Sequence, residues 1–265
     1  MKILMCNPSY FDILYEINPW MNVSKKTDVV KATVQWRKLF QTIESLGVTM
    51  ELIEPVTGLP DMVFTANGAL IKGNKALVAQ FKHSERQAEE HYFKHWLIKN
   101  NYEIVDPTSS TRDSSFEGEG DALFAGDKLF AGCGIRSDRD YYEKNIPLLS
   151  PDINVIYCEM IDPYFYHLDT CFCPLNDELG FWWPKAFSEE SRAQMSQSLE
   201  LIAVPEQEAK KFACNAVVVD KDVIIPAGCP EITKTLQDAG YTVYACEMSE
   251  FIKSGGACKC LTLYL

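Results

Sequence analysis

A closed α/β ring of five ββαβ units is the architecture this 265-residue sequence predicts, and three observations predict it. One order of elements recurs along the chain: two strands joined by a tight turn, then a helix, then a third strand. The recurrence has a spacing of about 46 to 56 residues, the range of propellers and repeat arrays. The two chain ends each carry part of one further unit, so joining them closes the ring and removes sheet edges.

The first unit is split between the ends. Ile3-Leu4-Met5 is a strand, residues 29–46 a helix and Met50-Glu51-Leu52-Ile53 a strand, and the lone C-terminal strand 260–265 completes them. The second unit opens at Asp61 and runs through the apolar stretch to Ile71, turns at Gly73-Asn74-Lys75 and resumes over 76–79. A helix over 84–100 and a strand over 102–107 follow. The third unit starts at Phe116, turns at Gly126-Asp127-Lys128, resumes over 129–132, and adds a helix over 138–148 and a strand over 155–157. In the fourth, a strand from His167 turns at Asn176-Asp177-Glu178 and continues over 179–183, with a helix over 188–199 and a strand over 201–205. The fifth has strands 214–219 and 223–226 around Asp220-Lys221-Asp222, a helix over 231–239 and a strand over 242–245. The alternative is an open α/β sheet with accidental internal similarity. No Pro/Ser-rich linker separates the units, so residues 1–265 are expected to form one domain.

Composition narrows the function. Hydrophobic residues at 47% are ample for a core, which excludes disorder as the main state. The net charge of −12 repels phosphate backbones and anionic lipid, so neither nucleic acid nor a membrane surface is expected as partner. Small cationic molecules fit better. No secretory signal and no apolar run near the roughly 18 residues of a membrane span are apparent. The ten cysteines are therefore expected to be reduced, in a cytoplasmic protein.

The first strand of each unit faces the axis of such a ring, so its polar residues converge. They are Asp61 and Asn67; Glu117, Glu119 and Asp121; His167 and Asp169; Asn215; and Cys260, which follows Ser254-Gly255-Gly256. Unpaired polar groups are costly in a core, so this set points to chemistry. Cys260 is the candidate nucleophile, because the glycine pair permits close ligand approach, with Cys258 competing on spacing. His167 and Asp169 share a face if their segment is extended, which suits either an acid/base histidine or a satisfied core histidine. The three carboxylates of the third unit could bind metal, work as acid/base pairs or grip a guanidinium. The pairs Cys171/Cys173 and Cys258/Cys260 with His167 could make a zinc site, but lack the spacing of structural ones. There is no Gly-rich phosphate loop and no Gly-x-Ser-x-Gly, which removes phosphoryl transfer and serine hydrolysis.

Leu59-Pro60-Asp61-Met62-Val63-Phe64-Thr65-Ala66-Asn67, Phe116-Glu117-Gly118-Glu119-Gly120-Asp121, His167-Leu168-Asp169-Thr170 and Gly255-Gly256-Ala257-Cys258-Lys259-Cys260 resemble, in order, the guanidino-group modifying enzymes. That superfamily of five-bladed α/β propellers, the pentein fold with its pseudo-fivefold symmetry, includes arginine deiminase, dimethylarginine dimethylaminohydrolase, the amidinotransferases and the arginine dihydrolases. The resemblance implies that Cys260 attacks a guanidinium carbon, that His167 protonates the leaving nitrogen and then activates water, and that Glu117 and Asp169 hold the cation. It implies a hydrolase of free arginine or a close analogue, with no cofactor and no metal, giving citrulline, or ornithine as well. Dimethylarginine hydrolysis and amidino transfer to an amine are the alternatives within enzymes; a non-catalytic ring-shaped binding module is the alternative outside them. Homo-oligomer formation is left open.

Two departures bear on the site. The family motif usually reads Glu-x-Gly-Asp, whereas this chain has one residue more, so Glu117 and Glu119 compete for one role and Glu117 is preferred; Glu119 and Asp121 join the substrate-binding set. Asn67 stands where deiminases and methylarginine hydrolases usually carry Asp, and resembles the dihydrolase branch; Asp169 resembles enzymes acting on unmethylated guanidinium. Arg86 and Arg136 fall where arginine-specific relatives bind the substrate carboxylate, and Asn18 in Glu-Ile-Asn-Pro-Trp is expected to line the pocket.

Overall fold

The computed structural model of the chain describes residues 1–107 and 113–265. It contains five three-stranded sheets, each with the same local topology. In every sheet the middle strand pairs antiparallel with one neighbour and parallel with the other, as in Lys128–Cys133 against Ala122–Ala125 and Asn154–Glu159. The parallel partner is reached through a helix, the crossover that parallel pairing requires. The first sheet joins the chain ends: Ile3 pairs with Tyr264 and Leu4 with Leu263, while Lys2 through Cys6 run parallel to Thr49–Ile53.

Local sequence explains these elements. Lys72-Gly73-Asn74-Lys75 closes a two-residue hairpin with Gly73 at φ 63°, and Gly126 at φ 64° does the same between Ala125 and Lys128. The helix Val29–Ser45 buries Ala32, Gln35, Trp36, Leu39, Thr42 and Ile43, a stripe at spacings of three and four. The Asp28 carboxylate accepts from the Lys31 N–H at its start, and Gly47 at φ 82° follows its end. Among the described residues no helix is long and apolar enough to cross a membrane.

The segments expected to be the opening parts of the inner strands are instead short 3-10 turns. They are Pro60–Val63 and Thr65–Gly68, Gly118–Gly120, and Leu168–Thr170, and the strands begin only after them, at Ala69, Ala122 and Phe172. The expected shared strand face of Glu117, Glu119 and Asp121, and of His167 and Asp169, therefore does not form. The cause is visible at Gly118, which sits at φ 58°; a Cβ there would press on the Ala66 and Ala69 carbonyls of the neighbouring unit. An extended strand would lose this close approach.

These turns meet around the axis in sequence order. Thr65 donates its hydroxyl to the Leu4 carbonyl and Ala66 its N–H to that of Cys260. The Asn67 amide donates to the Glu117 carbonyl, and Leu168 N–H to the Asp121 carboxylate. Asn215 donates to the Asp169 carbonyl and accepts from Cys260 N–H. Each unit is thus stitched to the next, and the last to the first.

Candidate active site

The nucleophile candidate is held by its neighbours from three units. Cys260 is 2% exposed; its Sγ lies 3.1 Å from Asp169 Oδ2, to which the thiol donates, and receives the Asn215 Nδ2–H at 3.0 Å. Burial pushes the Cys260 thiol well up, and the Asp169 charge adds to that. At neutral pH it is a thiol, so an ionised sulfur needs a cation brought to it. Gly255 at φ 84° permits the turn before Cys260, and a Cβ there would meet the Tyr166 ring and the Asn18 amide oxygen. Cys258, its sequence rival, is buried beside Cys246 in the core under the helix Val29–Ser45.

His167 Nε2 lies 2.7 Å from Glu117 Oε2, which also takes the Arg136 Nη1–H at 2.9 Å. Burial would raise the Glu117 pKa, but the Arg136 guanidinium and then His167 hold it well below the usual carboxylate range. Burial brings His167 down to about 4 against the upward pull of Glu117, so the resting imidazole is neutral. An ionised Glu117 fixes the proton on Nε2. The lone pair is then on Nδ1, and the Asn67 amide faces it at 3.5 Å. Asn67 cannot turn over, because its Oδ1 accepts from Arg86 Nη1 at 2.8 Å.

The other expected residues separate by partner. Glu119 points away from His167 and pairs with Lys259 at 2.9 Å. Asp121 accepts from the Ser137 hydroxyl at 2.6 Å and from Leu168 N–H at 3.0 Å, while Ser137 accepts the Glu117 N–H. It braces the backbones of both Glu117 and His167. Arg86 meets Glu89 through two N–H groups, at 3.0 and 2.8 Å, and donates also to the Asp61 carbonyl, besides Asn67. Arg136 donates to Glu117 and to the Ile17 carbonyl and lies over the Tyr166 ring. Asn18 ties the 17–21 turn to the Ser254 carbonyl at 3.0 Å.

The charges do not balance. Arg86 has Glu89, Arg136 has Glu117 and Lys259 has Glu119. Asp61, Asp121 and Asp169 are buried carboxyls without a cation of their own, and burial pushes all three up, Asp169 to about 7. Both Asp121 oxygens are bonded. Asp61 Oδ1 and Asp169 Oδ1 have no partner among the described residues, although Tyr15 donates to the other Asp61 oxygen. Glu117, expected to grip a cation, accepts from Arg136 and the Lys82 N–H and lies against His167 Nε2.

A narrow cavity runs between these groups, lined by Asn18, Asp61, Asn67, Arg86, Arg136 and Cys260 among others. A separate cavity of about 570 Å³ is lined by Glu119 and Lys259 and by none of Cys260, His167 or Asp169. Among the described residues no three His, Cys, Asp or Glu side chains are grouped to hold a metal ion, so the zinc arrangement of paired cysteines with His167 does not assemble. Sequence reasoning gave no role to Asp61 or Asn215, although both stand in the axis-facing set, and it missed Tyr15, Ser137 and Tyr166. Nothing local marks those three; their positions depend on packing between distant segments.

Residues 15–265 match the family described as N,N dimethylarginine dimethylhydrolase, eukaryotic. The chain is 41% identical to the bifunctional arginine dihydrolase/ornithine cyclodeaminase ArgZ of Synechocystis sp. over 99% of its own length, and spans 37% of that protein. It is 38% identical to the N(G),N(G)-dimethylarginine dimethylaminohydrolase of Mycobacterium tuberculosis, over 99% of this chain and 85% of the relative. The crystal structure of the N-terminal domain of the cyanobacterial ArgZ, a cysteine-to-serine variant bound to substrate, superimposes with a TM-score of 0.93 at 40% identity, covering 99% of this chain and 97% of that one.

Proposed function

The chain belongs to the N,N-dimethylarginine dimethylhydrolase family, and on that premise we propose that it is a hydrolase of the guanidinium group of free arginine or a close analogue. The observation that carries this reading is the pair of buried carboxylate oxygens, on Asp61 and Asp169, without a partner among the described residues: Asp169 lies against the Cys260 thiol, and Asp61 lines the cavity that Cys260 also lines. A planar cation seated there supplies the missing countercharge, and it favours the thiolate that burial otherwise suppresses.

In the proposed reaction the Cys260 thiolate forms a bond to the guanidinium carbon. The proton the thiol gives up passes to the bare Nδ1 of His167; the C–N bond to the departing nitrogen then breaks, and that nitrogen takes this proton from His167 and leaves as ammonia. The sulfur then holds a thiouronium. His167, returned to its neutral form with Nδ1 bare, draws a proton from water, which attacks the same carbon and expels the sulfur. Glu117 orients the imidazole and stabilises its charged form. Arg136, with N–H groups beyond those used on Glu117 and Ile17, receives the substrate carboxylate.

Asn67 favours a second round. It is neutral and locked by Arg86, so it adds no anion that would discriminate a guanidinium from a neutral ureido group. Arginine and water give citrulline and ammonia; citrulline and a second water give ornithine, carbon dioxide and ammonia. The test is incubation of the purified protein with arginine, methylarginines and agmatine, following ammonia and identifying the amino-acid product. Ammonia and ornithine from arginine support the reading. Release of methylamines alone, or amidino product formed only when an amine is added, overturns it.

A further inference from the structure

Asn215 makes three contacts that together fix its amide. Its Oδ1 accepts the Cys260 backbone N–H at 3.2 Å, while its Nδ2 donates to the Asp169 carbonyl at 3.1 Å and to Cys260 Sγ at 3.0 Å. Turning the amide over would set a donor against the Cys260 N–H and an acceptor against the Asp169 carbonyl, so the N–H must face the sulfur. The residue is fully buried. The turn that presents it passes through Phe212 at φ 62°, a backbone region that an aromatic residue seldom adopts, and Asn215 N–H donates to the Phe212 carbonyl at 2.8 Å.

The sulfur therefore sits between an acceptor and a donor. Its proton points to Asp169 Oδ2, and Asn215 supplies an N–H on another side. We infer that Asn215 is a catalytic residue whose side-chain N–H stabilises the Cys260 thiolate, both when it attacks carbon and when it is expelled from the thiouronium. Asp169 opposes the thiolate through its charge; the amide offsets that opposition without adding a charge that would repel a cationic substrate. This deepens the hydrolase reading and rests on it only for turnover, because ionisation of the thiol is read without substrate.

The discriminating variant is Asn215→Leu, which is close in shape, removes the donor and adds no charge beside the sulfur. The assay is the pH profile of iodoacetamide labelling of Cys260, with Cys260→Ser as the background for the other cysteines. Loss of a hydrogen bond to a charged group lowers labelling at a fixed pH below the midpoint roughly 10- to 100-fold and moves the midpoint up by about 1 to 2 pH units. A part that is merely structural would lower the melting temperature and leave the midpoint in place. The wild-type protein gives a reading that needs no variant to fold: the side-chain ¹⁵N–¹H resonances of Asn215 should shift with pH at the same midpoint as Cys260 labelling. An unmoved midpoint in folded Asn215→Leu, or resonances indifferent to Cys260 ionisation, would overturn the inference.

Discussion

Asp169→Asn should make the protein more stable, its thiol more reactive and its turnover slower. The carboxyl is fully buried, with one oxygen unpartnered, and its pKa is pushed up from 3.8 to about 7, by burial first, with Lys259 and the hydrogen bond from Cys260 opposing. A carboxyl whose folded pKa lies above its unfolded one loses the protonated form less readily when folded, so stability falls as pH rises between the two values. From 3.8 to about 7, at about 1.4 kcal/mol per pH unit, that cost is on the order of 4 kcal/mol above pH 7 and absent below about pH 4. The variant's amide keeps a burial cost of its own, so roughly 2–4 kcal/mol should be recovered. For a chain of this size that is a melting temperature about 5–15 °C higher at pH 8, with the two proteins converging near pH 4. The Cys260 thiol loses its anionic neighbour, so its labelling midpoint should fall. Arginine loses a charged hydrogen bond, and kcat/KM should drop roughly 10- to 100-fold. Calorimetry from pH 4 to 8 with a labelling series measures all of this. A variant that melts at or below wild type at pH 8 would refute the argument that Asp169 is an uncompensated buried charge.

Cys260→Ser should abolish turnover and leave the melting temperature close to wild type, whereas Cys258→Ser should keep most activity; the reverse pattern in an ammonia assay would move the nucleophile. Glu117→Gln removes the charge that pulls the His167 pKa up against burial, so His167 should become still less basic. We expect kcat about 10²- to 10⁴-fold lower with KM changed far less, and an equal loss in both would point to misplacement of Arg136 instead. Asn67→Asp should favour release of citrulline over ornithine in a time course with labelled arginine, since a new anion beside Asp61 discriminates against a neutral ureido group; unchanged partitioning would remove Asn67 from product choice.

The ring was legible because its signals are local and repeated. Gly73 and Gly126 mark hairpin turns, and the 29–46 pattern gives a helix observed as Val29–Ser45. Closure of the ends was legible too, because the C-terminal strand expected over 260–265 has no partner unless it meets the N-terminal one; its observed part, Leu263–Tyr264, pairs with Ile3 and Leu4. The 3-10 turns were not. Period-two alternation over His167-Leu168-Asp169 and Glu117-Gly118-Glu119 reads as strand, yet the deciding force is contact between neighbouring turns, such as Gly118 against Ala66 and Ala69. The same non-local packing separates Glu117, facing His167, from Glu119, facing Lys259, two residues on. The internal ion pairs of Arg86 and Arg136 were equally hidden: the resemblance sets both arginines where relatives bind a substrate carboxylate and says nothing of Glu89 or Glu117 reaching them first.

The central claim is that Cys260 bonds covalently to the guanidinium carbon of free arginine, and rapid-quench mass spectrometry of the protein mixed with arginine tests it most directly. Digestion after milliseconds of reaction should reveal the Cys260 peptide heavier by arginine less ammonia, appearing before product accumulates and persisting longer in His167→Ala. Ornithine or citrulline formed at full rate while that peptide stays unmodified would contradict the account.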